Sequence, residues 1–211
     1  MSVRLPMFPL PAVLVPRGVV QLHVFEPRYR VLMFDCMRAE REFGVVLIER
    51  GSEVGGDDQR FDLATVARIA EAVELPDGRW FLSAEGTRRV DVVEWLDDDP
   101  YPVAMVEERT ELSWPARGDD AVAAQAAFGA AERAVRRTIE LAASVDGEPA
   151  EPLDLSADRV AAAWELIAVL PIGSLDKQLL LAVDDHAERL RMVATLADEQ
   201  SVLLTYRLEQ E

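Results

Sequence analysis

The hydrophobic period of the chain changes at Trp114-Pro115, and that change restricts the fold more than any other feature. Before it, short apolar runs alternate with turn signals; after it, the chain is Ala-rich and follows a helical period. In "RLPMFPL" (4–10) each proline pushes the preceding residue towards extended geometry. "VPRG" (15–18) predicts a type I turn, with Pro16 second and Gly18 fourth, and "VVQLHVF" (19–25) predicts a strand. Tyr29, Leu32, Met33, Cys36 and Met37 then form one helical stripe. Pro27 suits the first helical position, where its missing N–H costs nothing, and Glu26 faces the positive end of the helix dipole.

"FGVVLIE" (43–49) reads as a buried strand, "ERGSEVGGDDQ" (49–59) as a loop, and 62–75 and 79–96 as strands around Pro76-Asp77-Gly78. Gly78 can take the positive φ that such a turn needs. Residues 97–111 add one more strand after an acidic break. Five or six strands with one embedded helix predict a small, curled antiparallel sheet or barrel over residues 1–115. From Ala116 to Ser144, Ala121, Ala124, Phe128, Ala131, Val135 and Ile139 share a helical side. "DGEPAEP" (146–152) breaks it. Ser156 is expected to cap a second helix ending at Leu170 before Pro171, Ser174 a third, and Asp184 or Asp185 a fourth running to about Arg207. Residues 116–211 are therefore expected to form a four-segment helical bundle, and the fold class is α+β.

A chain of 211 residues can bury a core without a metal or disulfide staple. Its single cysteine, Cys36, excludes an internal disulfide and argues against a cysteine-based zinc site. Met1 to Leu10 is interrupted by Arg4, Pro6 and Pro9, unlike a secretory h-region, and no window reaches about 18 uncharged apolar residues. A cytoplasmic location is expected. The formal net charge is −17. Of 22 basic and 39 acidic side chains, eight of each fall in residues 1–60, leaving 14 basic and 31 acidic in 61–211. That excess repels phosphate backbones and anionic membranes, so proteins, peptides or small molecules are the expected partners, with neither nucleic acid nor membrane among them. Lys177 is the only lysine, against 21 arginines, and its setting "SLDKQ" has no glycines for a phosphate-binding loop. No cofactor motif is present.

Read in order, "LPMFPLPAVLVPRGVVQLHVFEPRYRVLM", "FGVVLIE", "ATVARIAEAVELPDGRWFLSAEGTRRV", "PYPVAMVEE" and "LDKQLLLAVDDHAERLRMVATLADEQSVL" resemble the LON domain, the N-terminal substrate-binding region of the Lon ATP-dependent protease, which also occurs in stand-alone proteins. The chain departs from the family's pattern where Arg17 separates Pro16 from Gly18, where Ala64 replaces a usual Gly, and where Val90 replaces a common aromatic. The resemblance implies a PUA-like pseudo-β-barrel followed by a C-terminal helical bundle. Its structural signature here is Glu26, Pro27, Arg28, Tyr29, Asp77, Gly78, Lys177 and Gln178. The ATPase and Ser-Lys peptidase modules of Lon have no counterpart before Glu211, and a single cysteine does not suit the zinc-bound domain of the relative cereblon.

The charged groups favour structure over catalysis. A general base needs a pKa raised towards neutrality, and arginines beside Glu26 favour an ion pair over that role. Glu26 and an arginine are expected to lock the strand-to-helix corner, with Tyr29 packed inward. A Ser174–Lys177 dyad lacks an oxyanion hole, and a capping Ser with an exposed or ion-paired Lys is the expected arrangement. His23 and His186 have no metal-ligand spacing; His23 is expected half-buried and His186 solvated. Cys36 is expected in the core. The runs Asp57-Asp58, Asp97-Asp98-Asp99 and Asp119-Asp120 lack calcium-loop spacing. Among Trp80, Trp95, Trp114 and Trp164, the candidates for peptide contact are Trp80, whose neighbour Phe81 must face the opposite side of its strand, and Trp114, at the change of pattern.

The expected function is therefore that of a non-enzymatic protein- or peptide-recognition module, monomeric or weakly dimeric. It binds unfolded segments or a specific partner, in a groove between barrel and bundle or along a strand edge, and serves a separate protease. The alternatives are a hydrolase without a recognisable motif and, disfavoured by charge, a PUA-like RNA-binding protein.

Overall fold

The computed structural model describes residues 1–50 and 59–210; the loop expected at 49–59 lies, apart from its ends, outside the described residues, as do Asp57 and Asp58. Two compact units are present, Met1–Glu111 and Leu112–Glu211.

The first unit contains β1 (Val3–Leu10), β2 (Val19–Val24), α1 (Pro27–Arg38), β3 (Glu42–Arg50), β4 (Gln59–Glu74), β5 (Trp80–Trp95) and β6 (Val103–Glu108). The strand order is β2-β5-β4-β3-β1-β6, and β6 also pairs with β5. Five strands thus close into a ring, with β2 attached to β5 alone among the described residues. The sheet is mixed, not wholly antiparallel as expected: β1 runs parallel to β3, Met7 opposite Gly44. The reason is the connection between them, because β2 and α1 supply a crossover long enough to bring the chain back in the same direction.

β5 serves two neighbours in succession. Trp80–Glu85 pair with β2 and Val90–Trp95 with β6, and the β4 register shifts between these halves, where Thr87 Oγ1 donates to the Val66 carbonyl at 3.0 Å. Gly86 sits at this irregularity, with its backbone against the 15–18 turn. The Arg17 N–H donates to the Gly86 carbonyl at 2.7 Å and the Gly86 N–H to the Gly18 carbonyl at 2.8 Å. A Cβ on Gly86 would collide with the Val15 carbonyl. The turn closes through Gly18 N–H to the Val15 carbonyl at 3.0 Å, but Arg17 has φ 65°. Positive φ at the third position belongs to type II, which corrects the expected type I turn. The bond to Gly86 and an ion pair with Glu85 at 2.7 Å hold Arg17 there.

Alternation buries β1 on both faces. Met7 and Leu5 join Val46, Val66, Val90 and Val106 in one apolar cluster, while Phe8 and Leu10 join Tyr29, Leu32, Met33, Phe43 and Leu82 in another. Phe8 stacks on Tyr29 at 4.1 Å between ring centroids. Residues at i, i+3, i+4 and i+7 of α1, Tyr29 to Cys36, are its buried stripe.

The described residues of the second unit form four helices: α2 (Gly118–Asp146), α3 (Arg159–Val169), α4 (Ser174–Ala182) and α5 (His186–Leu208). α2 ends at Gly147. Asp185 caps α5, accepting from the Glu188 N–H at 2.7 Å. Two expected caps are corrected. Asp158, not Ser156, caps α3, accepting from Ala161 N–H at 2.8 Å, while Ser156 Oγ accepts from the Asp158 N–H one turn earlier. Ser174 is the first residue of α4 and Gly173 occupies the cap. At α3, hydroxyl and carboxylate offered the same acceptor chemistry within two residues; at α4 a glycine takes the cap with no side-chain bond.

Candidate functional site

Residues 26–30 form a joint. Glu26 precedes α1 and Pro27 is its first residue. Arg28 Nε donates to Glu26 Oε2 at 3.1 Å, with both side chains about one-fifth exposed, and the guanidinium lies 4.5 Å from the Tyr29 ring centroid. Tyr29 is buried. Arg30 packs over the β4–β5 turn, where Gly78 has φ 80° and a Cβ would collide with the guanidinium. In that turn Asp77 accepts from the Arg79 N–H at 3.1 Å and from Arg79 Nε at 2.8 Å. Charge here fixes two backbone corners.

Lys177, expected to be exposed or ion-paired, is instead half-buried against a carbonyl: Nζ donates to the Ala168 carbonyl in the last turn of α3 at 3.1 Å, and burial lowers its pKa from the ordinary 10.5. A helix end offers carbonyls that a nearby ammonium can satisfy. Its neighbour Gln178 is buried in α4. Cys36 is buried, and desolvation followed by the charge of Asp35 pushes its thiol up to about 12, so it stays protonated at neutral pH. Among the described residues, no His, Cys, Asp and Glu cluster could hold a metal ion.

The two histidines exchange the environments expected of them. His186 is buried; Nε2 lies 2.8 Å from the Leu112 carbonyl and the ring 5.3 Å from that of Trp114. The 112–114 segment of the second unit covers it. Trp114 is half-buried, edge-on to Phe128 at 6.0 Å. It flanks a cavity of about 270 Å³ lined by Pro115, Asp120, Ala124, Asp185, His186 and Arg191, among others. His23 is exposed, because it lies on the outer face of β2, and stacks on Phe81 at 4.4 Å and 12°.

That stack belongs to a built surface. Trp80 is 9% exposed and points into the core, which leaves its strand neighbour Phe81 outside and 50% exposed. The register sets His23 of β2 opposite Phe81 of β5, and Phe81 opposite Val73 of β4. Val73 is 60% exposed, and Phe25, 5.9 Å from His23, is 54% exposed. The next row along the same face is Gln21, Ser83 and Glu71. Together the two rows line a groove of about 400 Å³. Its border is β2, whose far edge has no strand neighbour among the described residues. Phe81 was discoverable from alternation once Trp80 was assigned inward; the row was not, because it depends on cross-strand register.

A family model described as the ATP-dependent protease La (LON) substrate-binding domain matches residues 4–199. Lon protease 2 of Herpetosiphon aurantiacus is 26% identical over 203 residues, covering 94% of this chain and 24% of the relative. A LON peptidase N-terminal domain and RING finger protein of Schizosaccharomyces pombe is 23% identical, covering 84% of this chain and 42% of the relative. The chain therefore spans less than half of these curated relatives. The crystal structure of a Lon N-terminal domain protein from Xanthomonas campestris is 28% identical with a TM-score of 0.64, covering 92% of this chain and 98% of that one. The N-terminal domain of Mycobacterium avium complex Lon protease, at 16% identity and a TM-score of 0.59, shares the fold. The ring of strands with its embedded helix, and the match across almost all of the sequence, place the chain in the LON substrate-binding domain family.

Proposed function

We propose that the chain is a non-catalytic recognition module that binds unfolded or extended protein segments on the outer face of β2, β5 and β4 and serves a separate protease. One observation carries this reading: an exposed row, His23, Phe81 and Val73, lies beside a strand edge that has no partner among the described residues. An incoming segment adds to β2 through its backbone N–H and C=O groups, and its alternate side chains cover the apolar row. Folded proteins have already paired their backbone groups and buried their apolar side chains, so the same surface discriminates against them. The contact role expected of Trp80 passes to Phe81. The family description as substrate-binding supports the reading, as do the PUA-like barrel and helical bundle that the family resemblance implies. A cytoplasmic module acting as a monomer or weak homodimer fits it.

The test is fluorescence anisotropy with one labelled model protein, chemically unfolded and folded. Binding of the unfolded form alone is expected, weakened at least tenfold by the F81D/V73D double variant. Both side chains are at least half exposed, so the variant's circular dichroism should match the parent. Equal binding of the folded form, or unchanged binding by the variant, would refute the assignment.

A further inference from the structure

We infer that this face selects extended segments carrying a basic side chain, arginine above all, among apolar residues. The inference rests on the binding reading above and adds the chemistry of the occupant. The groove is apolar at one end, where Phe81 and Val73 stand beside His23, and rich in acceptors at the other, where Glu71, Gln21 and Ser83 form the next row. Adjacent rows on one strand face are about 7 Å apart, within the length of an arginine side chain. An arginine can therefore lay its methylene stem across the apolar row, as amphipathic side chains do, and bring its guanidinium to the Glu71 carboxylate. An aromatic face at Phe81 adds an attraction for a cation.

The charges around the groove leave Glu71 as the one to be answered. Glu85 on the next row pairs with Arg17 at 2.7 Å, Arg68 pairs with Glu42 at 2.8 Å, and Arg79, 3.5 Å from His23, pairs with Asp77 at 2.8 Å. Among the described residues Glu71 has no cation within ion-pair distance. The net charge of −17 favours the approach of basic segments and opposes acidic ones.

Three labelled twelve-residue peptides test this, identical and apolar apart from one central arginine, citrulline or glutamate. Citrulline keeps the shape of arginine and removes its charge. Arginine should bind three- to tenfold tighter than citrulline at low salt, glutamate weakest, with the gap narrowing as salt rises. In the E71Q variant the gap between arginine and citrulline should close while the citrulline peptide binds as before. Equal affinity of the arginine and citrulline peptides for the parent protein, or a gap that survives in E71Q, would overturn the basic preference and leave the apolar docking face standing. Failure of all three peptides to bind, or binding that F81D does not weaken, would instead overturn the face itself.

Discussion

The two units hold their cations in different ways. In the strand-rich unit arginines meet carboxylates: Glu42, at the start of β3, lies between Arg88 of β5 at 2.7 Å and Arg68 of β4 at 2.8 Å, and Arg89 pairs with Glu111 at 3.0 Å. In the helical unit backbone carbonyls join carboxylates as partners. Lys177 reaches Ala168 and fully buried Arg189 reaches Val183 at 2.9 and 2.6 Å while lying over Trp164, whereas Arg136 holds both Glu132 at 2.8 Å and the Leu153 carbonyl at 2.9 Å, and Arg137 pairs with Asp198. The difference follows from the backbone. A closed ring of strands uses its carbonyls in the ladder, whereas each helix leaves four carbonyls without an internal partner. Carboxylate partners titrate in acid and carbonyl partners do not, so the cluster around Glu42 should weaken at low pH while the Lys177 and Arg189 carbonyl contacts persist.

The largest expected effect tests whether charge matters most in the first unit. Gly86→Ala removes no charge, yet sets a Cβ against the Val15 carbonyl. A cost of about 3 kcal/mol is expected, read as a fall in the urea midpoint. Hydrogen exchange should rise in peptides spanning the 15–18 turn and β5. Less than about 1 kcal/mol would show that this backbone approach can relax.

Lys177→Met sharpens the contrast from the helical side. It leaves the Ala168 carbonyl without its ammonium and should cost about 1–2 kcal/mol. Burial sets the folded pKa of Lys177 below the unfolded value, so the unfolded chain holds more protons between the two. The contribution of Lys177 to stability therefore rises as pH climbs towards 10.5, and the Met variant should lose that rise in urea titrations across alkaline pH.

Glu42→Gln has the smallest expected effect at neutral pH, about 1 kcal/mol, since Arg68 is largely exposed to solvent. Burial pushes the Glu42 carboxyl up, but hydrogen bonds from Arg88 and then Arg68, with their charges, hold it below the usual 4.5. Its stabilisation is complete above pH 4.5 and is lost as pH falls through the lower folded value. Acid titration of the parent should slope more steeply below pH 4.5 than that of the Gln variant, and parallel curves would break the contrast between carboxylate and carbonyl partners.

The sequence revealed most where a feature is local. Pro27 and the stripe from Tyr29 marked α1, Pro76-Asp77-Gly78 marked the β4–β5 turn, and Asp185 marked the start of α5. It misled where tertiary contacts decide. Arg17 takes a left-handed conformation because Gly86, far along the chain, bonds to it. His186 is buried because residues 112–114 lie over it, and Lys177 turns inward because the end of α3 is there. The candidate site was half legible: alternation put Trp80 and Phe81 on opposite faces, but only register joins Phe81 to His23 and Val73, with Glu71 in the next row.

The ring has a consequence for how the chain is made. Of the described strands, β1 is made before the others, yet it pairs with β6, made after them, Val3 opposite Val106. β6 also seals the far half of β5. Until Val103–Glu108 emerges, both strands offer open edges to any neighbouring nascent chain, and pairings so distant in sequence form slowly. A chain stalled before Val103 is therefore aggregation-prone even though five of the six described strands are complete, and synthesis past β6 is the event that makes the first unit safe.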